Sequence, residues 1–189
     1  MSTTSPVRIL GIPGSLRQAS YKKAALRAAQ ELVPDGGTLE IVDIDGLPPF
    51  NEDDERPLPA RVVELKARIR EADAILIATP EYNYSVPGVL KNAIDWASRP
   101  HGDSAWDGKP VAIMGASPGS LGSARAQYHL RQMFVFLNMH PVNRPEVMLS
   151  NAAQRFDAHG RLVDEGSRTR IRQLLEALVA WTRRLGKEG

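Results

Sequence analysis

Ala74-Ile75-Leu76-Ile77-Ala78 puts five apolar side chains in a row. A strand with one wet face alternates apolar and polar residues. One that is apolar throughout has both faces covered, as at the centre of a parallel sheet. The segments around it read as its partners. Residues 60–72 predict a helix with Val62, Val63, Leu65 and Ile69 on one stripe, and 87–97 predict a helix opened by Pro87. Upstream, 7–12 read as a buried strand and 20–33 as a helix with Ala24, Ala25, Ala28 and Leu32 at helical spacing. Pro34, Asp35, Gly36 and Gly37 stop that helix. A second strand follows at 39–44, then a loop rich in proline and acids at 45–57. Downstream, 110–115 predict a fourth strand, 123–137 a fourth helix, 142–149 contain a fifth strand, and 167–185 form a long closing helix. Strand and helix alternate from end to end, which predicts an α/β domain around a mostly parallel sheet.

The chain has 189 residues, no internal repeat and no stretch with linker composition, so 1–189 is read as one domain. About five strands in this order suit the flavodoxin-like three-layer sandwich, with a five-stranded parallel sheet in the order 2-1-3-4-5. Ligands of such folds sit beyond the carboxyl ends of the strands, so the informative loops follow strands one, three and four.

Lys and Arg total 24 against 22 Asp and Glu, giving +2, and the two signs are mixed along the chain. No basic face for a nucleic acid is expected from that distribution. Cysteine is absent, which excludes a disulfide framework, a thiolate nucleophile, an iron–sulfur cluster and a Cys-rich zinc site. The composition is compatible with a reducing cytoplasm, the expected location. Residues 1–6 lack a signal-peptide pattern, and no apolar run approaches the ~18 residues of a membrane span.

The first loop, Gly11-Ile12-Pro13-Gly14-Ser15-Leu16-Arg17-Gln18-Ala19-Ser20, runs from strand to helix. It offers the hydroxyls of Ser15 and Ser20, the forked cation of Arg17 and the N–H groups of a helix start, together a phosphate site. It is neither a Walker A loop nor a dinucleotide fingerprint. A tight turn capped by Ser20 would produce the same residues. The second loop, Thr79-Pro80-Glu81-Tyr82-Asn83-Tyr84-Ser85-Val86-Pro87-Gly88, is stiffened by two prolines and can turn N–H groups, Asn83 and two tyrosines toward the edge of a flat heterocycle. Its tyrosines would equally serve a rigid turn by packing. The third loop, Gly115-Ala116-Ser117-Pro118-Gly119-Ser120-Leu121-Gly122-Ser123, has small residues that admit a ring close to the backbone, or that simply make a flexible surface loop. Taken together on one sheet edge, a phosphate site beside two ring sites describes FMN better than a free phosphate or a dinucleotide.

Gly14-Ser15-Leu16-Arg17, Pro80-Glu81-Tyr82-Asn83, Gly108-Lys109-Pro110-Val111 and Leu130-Arg131 resemble, in that order, the NADPH-dependent FMN reductase family, nearest to its bacterial quinone, chromate and azo-dye reductases. The resemblance spans roughly residues 7–149. It implies tightly bound FMN, NADPH or NADH as electron donor, and a homodimer or homotetramer with the active site near a subunit interface. It implies that the FMN phosphate rests on Ser15, Arg17, Ser20 and Tyr21, with Leu16 and Lys22 in the same loop and helix start. The ring is implied to lie on Pro80, Glu81, Tyr82, Asn83, Tyr84, Ser85, Ser117 and Gly119. Lys22 stands where the family commonly has asparagine, and Gly122-Ser123 replaces a common Gly-Gly. Lys22 is left open between the phosphate, the nicotinamide nucleotide and solvent.

The expected function is ping-pong hydride transfer through bound FMN to quinones, free flavin, azo dyes or metal oxyanions such as chromate. Because the cofactor carries that chemistry, no catalytic acid, base or nucleophile is expected. The alternatives are a reductase supplying reduced FMN to a partner oxygenase, a nucleotide-binding regulatory module, and a non-enzymatic electron carrier, which would normally be strongly acidic. His101, His129, His140 and His159 lack metal-ligand spacing and read as surface or packing residues. Glu52-Asp53-Asp54-Glu55 reads as a solvated acidic loop. Arg168, Arg170 and Arg172 read as the wet face of the last helix, with Ile171, Leu174, Leu175, Leu178 and Trp181 packed inward. Trp96 and Trp106 read as core or interface, and Arg125, Tyr128, Arg131 and Glu146 as candidates for contacts between subunits.

Overall fold

The computed structural model describes residues 5–17 and 20–186. Gln18 and Ala19 of the first loop and residues 1–4 of the N-terminal segment lie outside the described residues.

Every residue of β3 (Ala74–Thr79) is buried. It is flanked in parallel by β1 (Val7–Pro13), with Leu10 opposite Ile75, and by β4 (Pro110–Ala116), with Ile77 opposite Ile113. β2 (Gly37–Ile41) pairs with the outer side of β1, so the order is β2-β1-β3-β4-β5. This is the expected arrangement. β2 begins and ends earlier than the apolar run suggested, because the pairing with Val7 already starts at Gly37.

The last strand position is divided. β5 (His140–Pro141) pairs with Pro110 and Val111, and β6 (Val147–Leu149) pairs with Met114 to Ala116 on the same edge of β4. The expected fifth strand is therefore two short ones, separated by residues that include the cis bond before Pro145.

Period-two alternation sends the strand side chains to two cores. Ala74, Leu76, Ala112 and Met114 face α1 (Tyr21–Glu31) and α5 (Glu165–Leu185). Ile75, Ile77, Val111 and Ile113 face α2 (Ala60–Glu71), α3 (Gly88–Ala97) and α4 (Ala124–Phe136). The three layers follow. Val62, Leu65 and Ile69 form the buried stripe of α2, whereas Val63 is 50% exposed. One residue after Val62 is a rotation of ~100°, which carries it off that face. Trp96 and Trp106 are core residues, their Nε1 groups donating to Pro48 O (2.8 Å) and Ile94 O (3.1 Å). Ile171, Leu174, Leu175 and Leu178 are buried and Arg170 and Arg172 exposed, as the amphipathic pattern required.

Candidate functional site

β1, β3 and β4 end side by side, and the loops that leave them touch. Gly14 N donates to Ala78 O at 2.8 Å. A Cβ on Gly14 would lie 3.0 Å from Leu90 Cδ2 and 3.2 Å from Pro80 Cδ, so glycine lets the first loop press against the second.

The first loop leads into α1. Ser20 caps the helix, its Oγ accepting from Lys23 N at 3.2 Å. Ser15 is buried, with Oγ accepting from Arg17 N at 3.4 Å. The helix cap uses a residue that was also expected at the phosphate. The first turn of α1 holds no acid. Lys22 is only 8% exposed, and its pKa is held below the ordinary 10.5 by burial first and by the charge of Arg17 second. Neither Arg17 nor Lys22 has a carboxylate partner among the described residues. Two neighbouring cations without an acid, at the positive end of a helix, are the chemistry that would suit an anion. Lys23, one residue on, is used differently: its Nζ pairs with Asp43 at 2.7 Å. Tyr21 packs its ring on Phe156, centroids 5.3 Å apart.

The second loop is a tight two-residue turn. Tyr82 N donates to Ser85 O and Ser85 N to Tyr82 O, both at 3.0 Å. Asn83 and Tyr84 between them have φ of +49° and +66°. Asparagine tolerates that region, but a tyrosine there is uncommon and costs energy that surrounding contacts must offset. Those contacts come from α4. Glu81 accepts from the backbone N of Arg125 (3.0 Å) and Ala126 (3.4 Å) and pairs with the Arg125 guanidinium. Arg125 Cζ lies 3.5 Å from the centroid of the Tyr84 ring. Ser85 Oγ and His129 Nδ1 share a hydrogen bond of 2.9 Å. The carboxylate of Glu81 is therefore committed to the start of α4. Arg125, read as a candidate for contacts between subunits, is engaged within its own chain.

The third loop is tied at several points. Ser117 N donates to Leu149 O (3.0 Å), Ala152 N to Ser117 O (3.0 Å) and Asn151 N to Gly119 O (3.1 Å). Ser117 Oγ accepts from Gly119 N at 3.2 Å. Beneath it, a Cβ on Gly115 would fall 1.6 Å from Ser123 Oγ and 2.7 Å from Gly122 O, so no side chain fits. Between the second and third loops lies a cavity of about 340 Å³, lined by Asn83, Tyr84, Ser117, Gly119, Leu121 and Arg125 among others. That reaches the size of small-molecule sites.

The residues present fit FMN. Arg17, Lys22, Ser15 and the α1 N-terminus suit its phosphate, and a polar cleft with stiff walls stands on the same sheet edge. Of the predicted site residues, Ser15, Leu16, Arg17, Ser20 and Lys22 stand on the first loop and the start of α1, and Glu81, Asn83 and Tyr84 of the second loop meet Ser117 and Gly119 across the cavity. His129 was missed, because its partner is 44 residues away in the chain. The available signal was that Arg125 and His129 share one face of α4 at i, i+4. Among the described residues no three His, Asp or Glu side chains converge as a metal site would need, and no helix is long and apolar enough to cross a membrane.

A doubly wound α/β sheet with an anion site at its first helix and a polar cleft at its switch point defines a mononucleotide-binding protein of flavodoxin-like fold. The family model described as NADPH-dependent FMN reductase matches residues 7–154. An NAD(P)H-dependent FMN reductase of Pseudomonas aeruginosa is 57% identical over 180 residues, covering 95% of this chain and 97% of that protein. A 2-hydroxy-1,4-benzoquinone reductase of a Burkholderia species is 42% identical over 177 residues, covering 94% and 97%. The solved structure of FerB, a flavoenzyme NAD(P)H:(acceptor) oxidoreductase from Paracoccus denitrificans, superposes with a TM-score of 0.86 at 35% identity, over 94% of this chain and 98% of that one. The chain belongs to the NADPH-dependent FMN reductase family, and it is an oxidoreductase.

Proposed function

We infer that this chain takes electrons from NADPH or NADH and delivers them, by way of bound FMN, to small flat acceptors: quinones first, with free flavin, azo dyes and metal oxyanions such as chromate as further candidates. The observation that carries this reading is the pair of cations without an acid, Arg17 and Lys22, on the same sheet edge as the Asn83–Ser117 cleft. Relatives named for FMN and quinone reduction support it.

FMN, when bound, supplies hydride acceptance and delivery. The chain's residues do the rest. Arg17, Lys22, Ser15, Ser20 and the α1 N–H groups hold the phosphate. The backbone from Pro80 to Ser85 faces the ring edge, with Ser117 and Gly119 on the far wall. Tyr84 lines the cavity and, like Tyr82, stays exposed, so acceptors are sorted by flatness more than by hydrogen bonding. The protein is read as one domain.

A homodimer or homotetramer is the expected assembly. On α4, Tyr128, Val135 and Phe136 stand exposed, the last two at 83% and 85%, and Tyr84 and Leu121 are exposed at the cleft. Apolar side chains that far out of a monomer suit a subunit contact. A monomer mass in solution at micromolar concentration would contradict it. The absence of cysteine supports a cytoplasmic location.

The direct test is to purify the protein without added flavin, record its visible spectrum, and add NADPH anaerobically. A yellow protein that bleaches, then recovers its colour on addition of a benzoquinone, is expected. A colourless protein that neither binds nor reduces added FMN would overturn the reading.

A further inference from the structure

The turn Tyr82-Asn83-Tyr84-Ser85 is held in a conformation that its own sequence does not favour. Two successive residues have positive φ, and one of them is tyrosine. Its internal bonds are the reciprocal pair between Tyr82 and Ser85, and the turn stands well out, with Tyr84 69% exposed. A two-residue turn of this kind is marginal without outside support. Support comes from one face of α4, at two positions one helical turn apart. Arg125 grips the near side, through Glu81 and the Tyr84 ring. His129 grips the far side, through Ser85 Oγ at 2.9 Å. Ser85 is the residue where the turn rejoins the chain, just before Val86-Pro87 and the start of α3.

We propose that His129 is a positioning residue: its bond to Ser85 fixes the Tyr82–Ser85 turn so that the turn's backbone meets the flavin ring. This rests on the reading of that turn as a ring-binding wall. His129 touches neither flavin nor acceptor in this scheme, and it acts through Ser85 alone. Losing the bond frees the closing residue of the turn, and the two positive-φ residues relax toward commoner conformations. The ring site then has to be reordered each time flavin binds, which weakens binding.

Three full-length variants test it: His129→Leu, His129→Asn and Ser85→Ala, with the Leu/Ala double variant. Asparagine places an amide where Nδ1 sits and can donate or accept. Two readouts are taken on apo-protein: hydrogen exchange of the Tyr82 and Ser85 amides, and the FMN dissociation constant by fluorescence titration. His129→Leu and Ser85→Ala are each expected to speed exchange at both amides and to weaken FMN by roughly five- to tenfold. The double variant is expected to be no worse than either single, because both remove one bond. His129→Asn is expected to stay within twofold of the parent. Unchanged exchange and affinity in His129→Leu, additive losses in the double variant, or no rescue by asparagine would each overturn the proposal. If the parent protein itself does not take up FMN, the flavin reading fails, and the proposal, which rests on it, is overturned too. Exchange in the apo-protein then reports on the bond to Ser85 alone.

Discussion

Two lysines at opposite ends of the sheet are both taken partly out of water, and both have their pKa pushed down by burial. Lys109, at the amino edge before β4, donates to Ala72 O (2.6 Å) and Arg70 O (3.0 Å), the last carbonyls of α2. Asp73 lies close enough to favour its charge. It is a cation at the negative end of a helix, with its bonds made. Lys22, at the carboxyl edge, is a cation at the positive end of a helix, beside Arg17, with no acid partner among the described residues. The same side chain and the same cause of pKa shift thus serve two ends. At one edge charge is satisfied within the fold. At the other it is left open, and an open buried charge is where a ligand is expected.

The largest effect should come from testing whether that openness extends to the backbone below it. Gly115→Ala places a methyl where Ser123 Oγ and Gly122 O already stand, and a loss of about 3 kcal/mol in urea unfolding is expected, with flavin binding impaired. A neutral result would mean that the third loop is loose and the cleft not preformed. Next, Lys109→Met strands the end of α2 and should cost about 2 kcal/mol of stability while leaving FMN affinity within twofold. Lys22→Met should do the reverse. FMN affinity is expected to fall roughly tenfold, about 1.4 kcal/mol, with the melting temperature of the apo-protein unchanged or raised. Loss of stability without loss of affinity would erase the contrast.

The pH dependence sharpens the same point. The folded-state pKa of Lys22 lies below 10.5, so between that lowered value and 10.5 the unfolded chain binds more protons than the folded one. Apo-protein stability from this group therefore rises with pH across that window. A bound phosphate favours the charged form, so FMN binding should take up a proton there and weaken as pH rises through it. Calorimetry in buffers of different ionisation enthalpy reads this directly, and no proton uptake would contradict it. The smallest effect belongs to Asp73, whose carboxylate is held below its usual range chiefly by its hydrogen bond from Arg8. That stability is present above about pH 4 and is lost as pH falls through the lowered value. Solvent screening keeps it under about 1 kcal/mol, as acid unfolding of Asp73→Asn would show.

The sheet order was legible because each strand and each helix announced itself within a dozen residues. The apolar run 74–78 fixed the centre, and alternation fixed the layers. The first loop was legible as one unit for the same reason: Gly14, Ser15, Arg17 and Ser20 are close in sequence. What failed to show was whatever depends on distant partners. The carboxylate of Glu81 is held by α4, 44 residues on, while Glu81 still lines the cavity. His129 looked like packing until Ser85 met it. The ring contact between Tyr21 and Phe156 is of the same kind. Val63 needed only the helical angle, one position from Val62, to be placed outside.

The most direct test of the open anion site is to titrate apo-protein with FMN and, separately, with riboflavin, which has the same ring and no phosphate. FMN is expected to bind at least roughly a hundredfold more tightly, with most of that difference gone when Arg17 and Lys22 are both neutralised. Equal affinities for the two flavins would contradict the account, and would mean that Arg17 and Lys22 hold something other than the cofactor's phosphate.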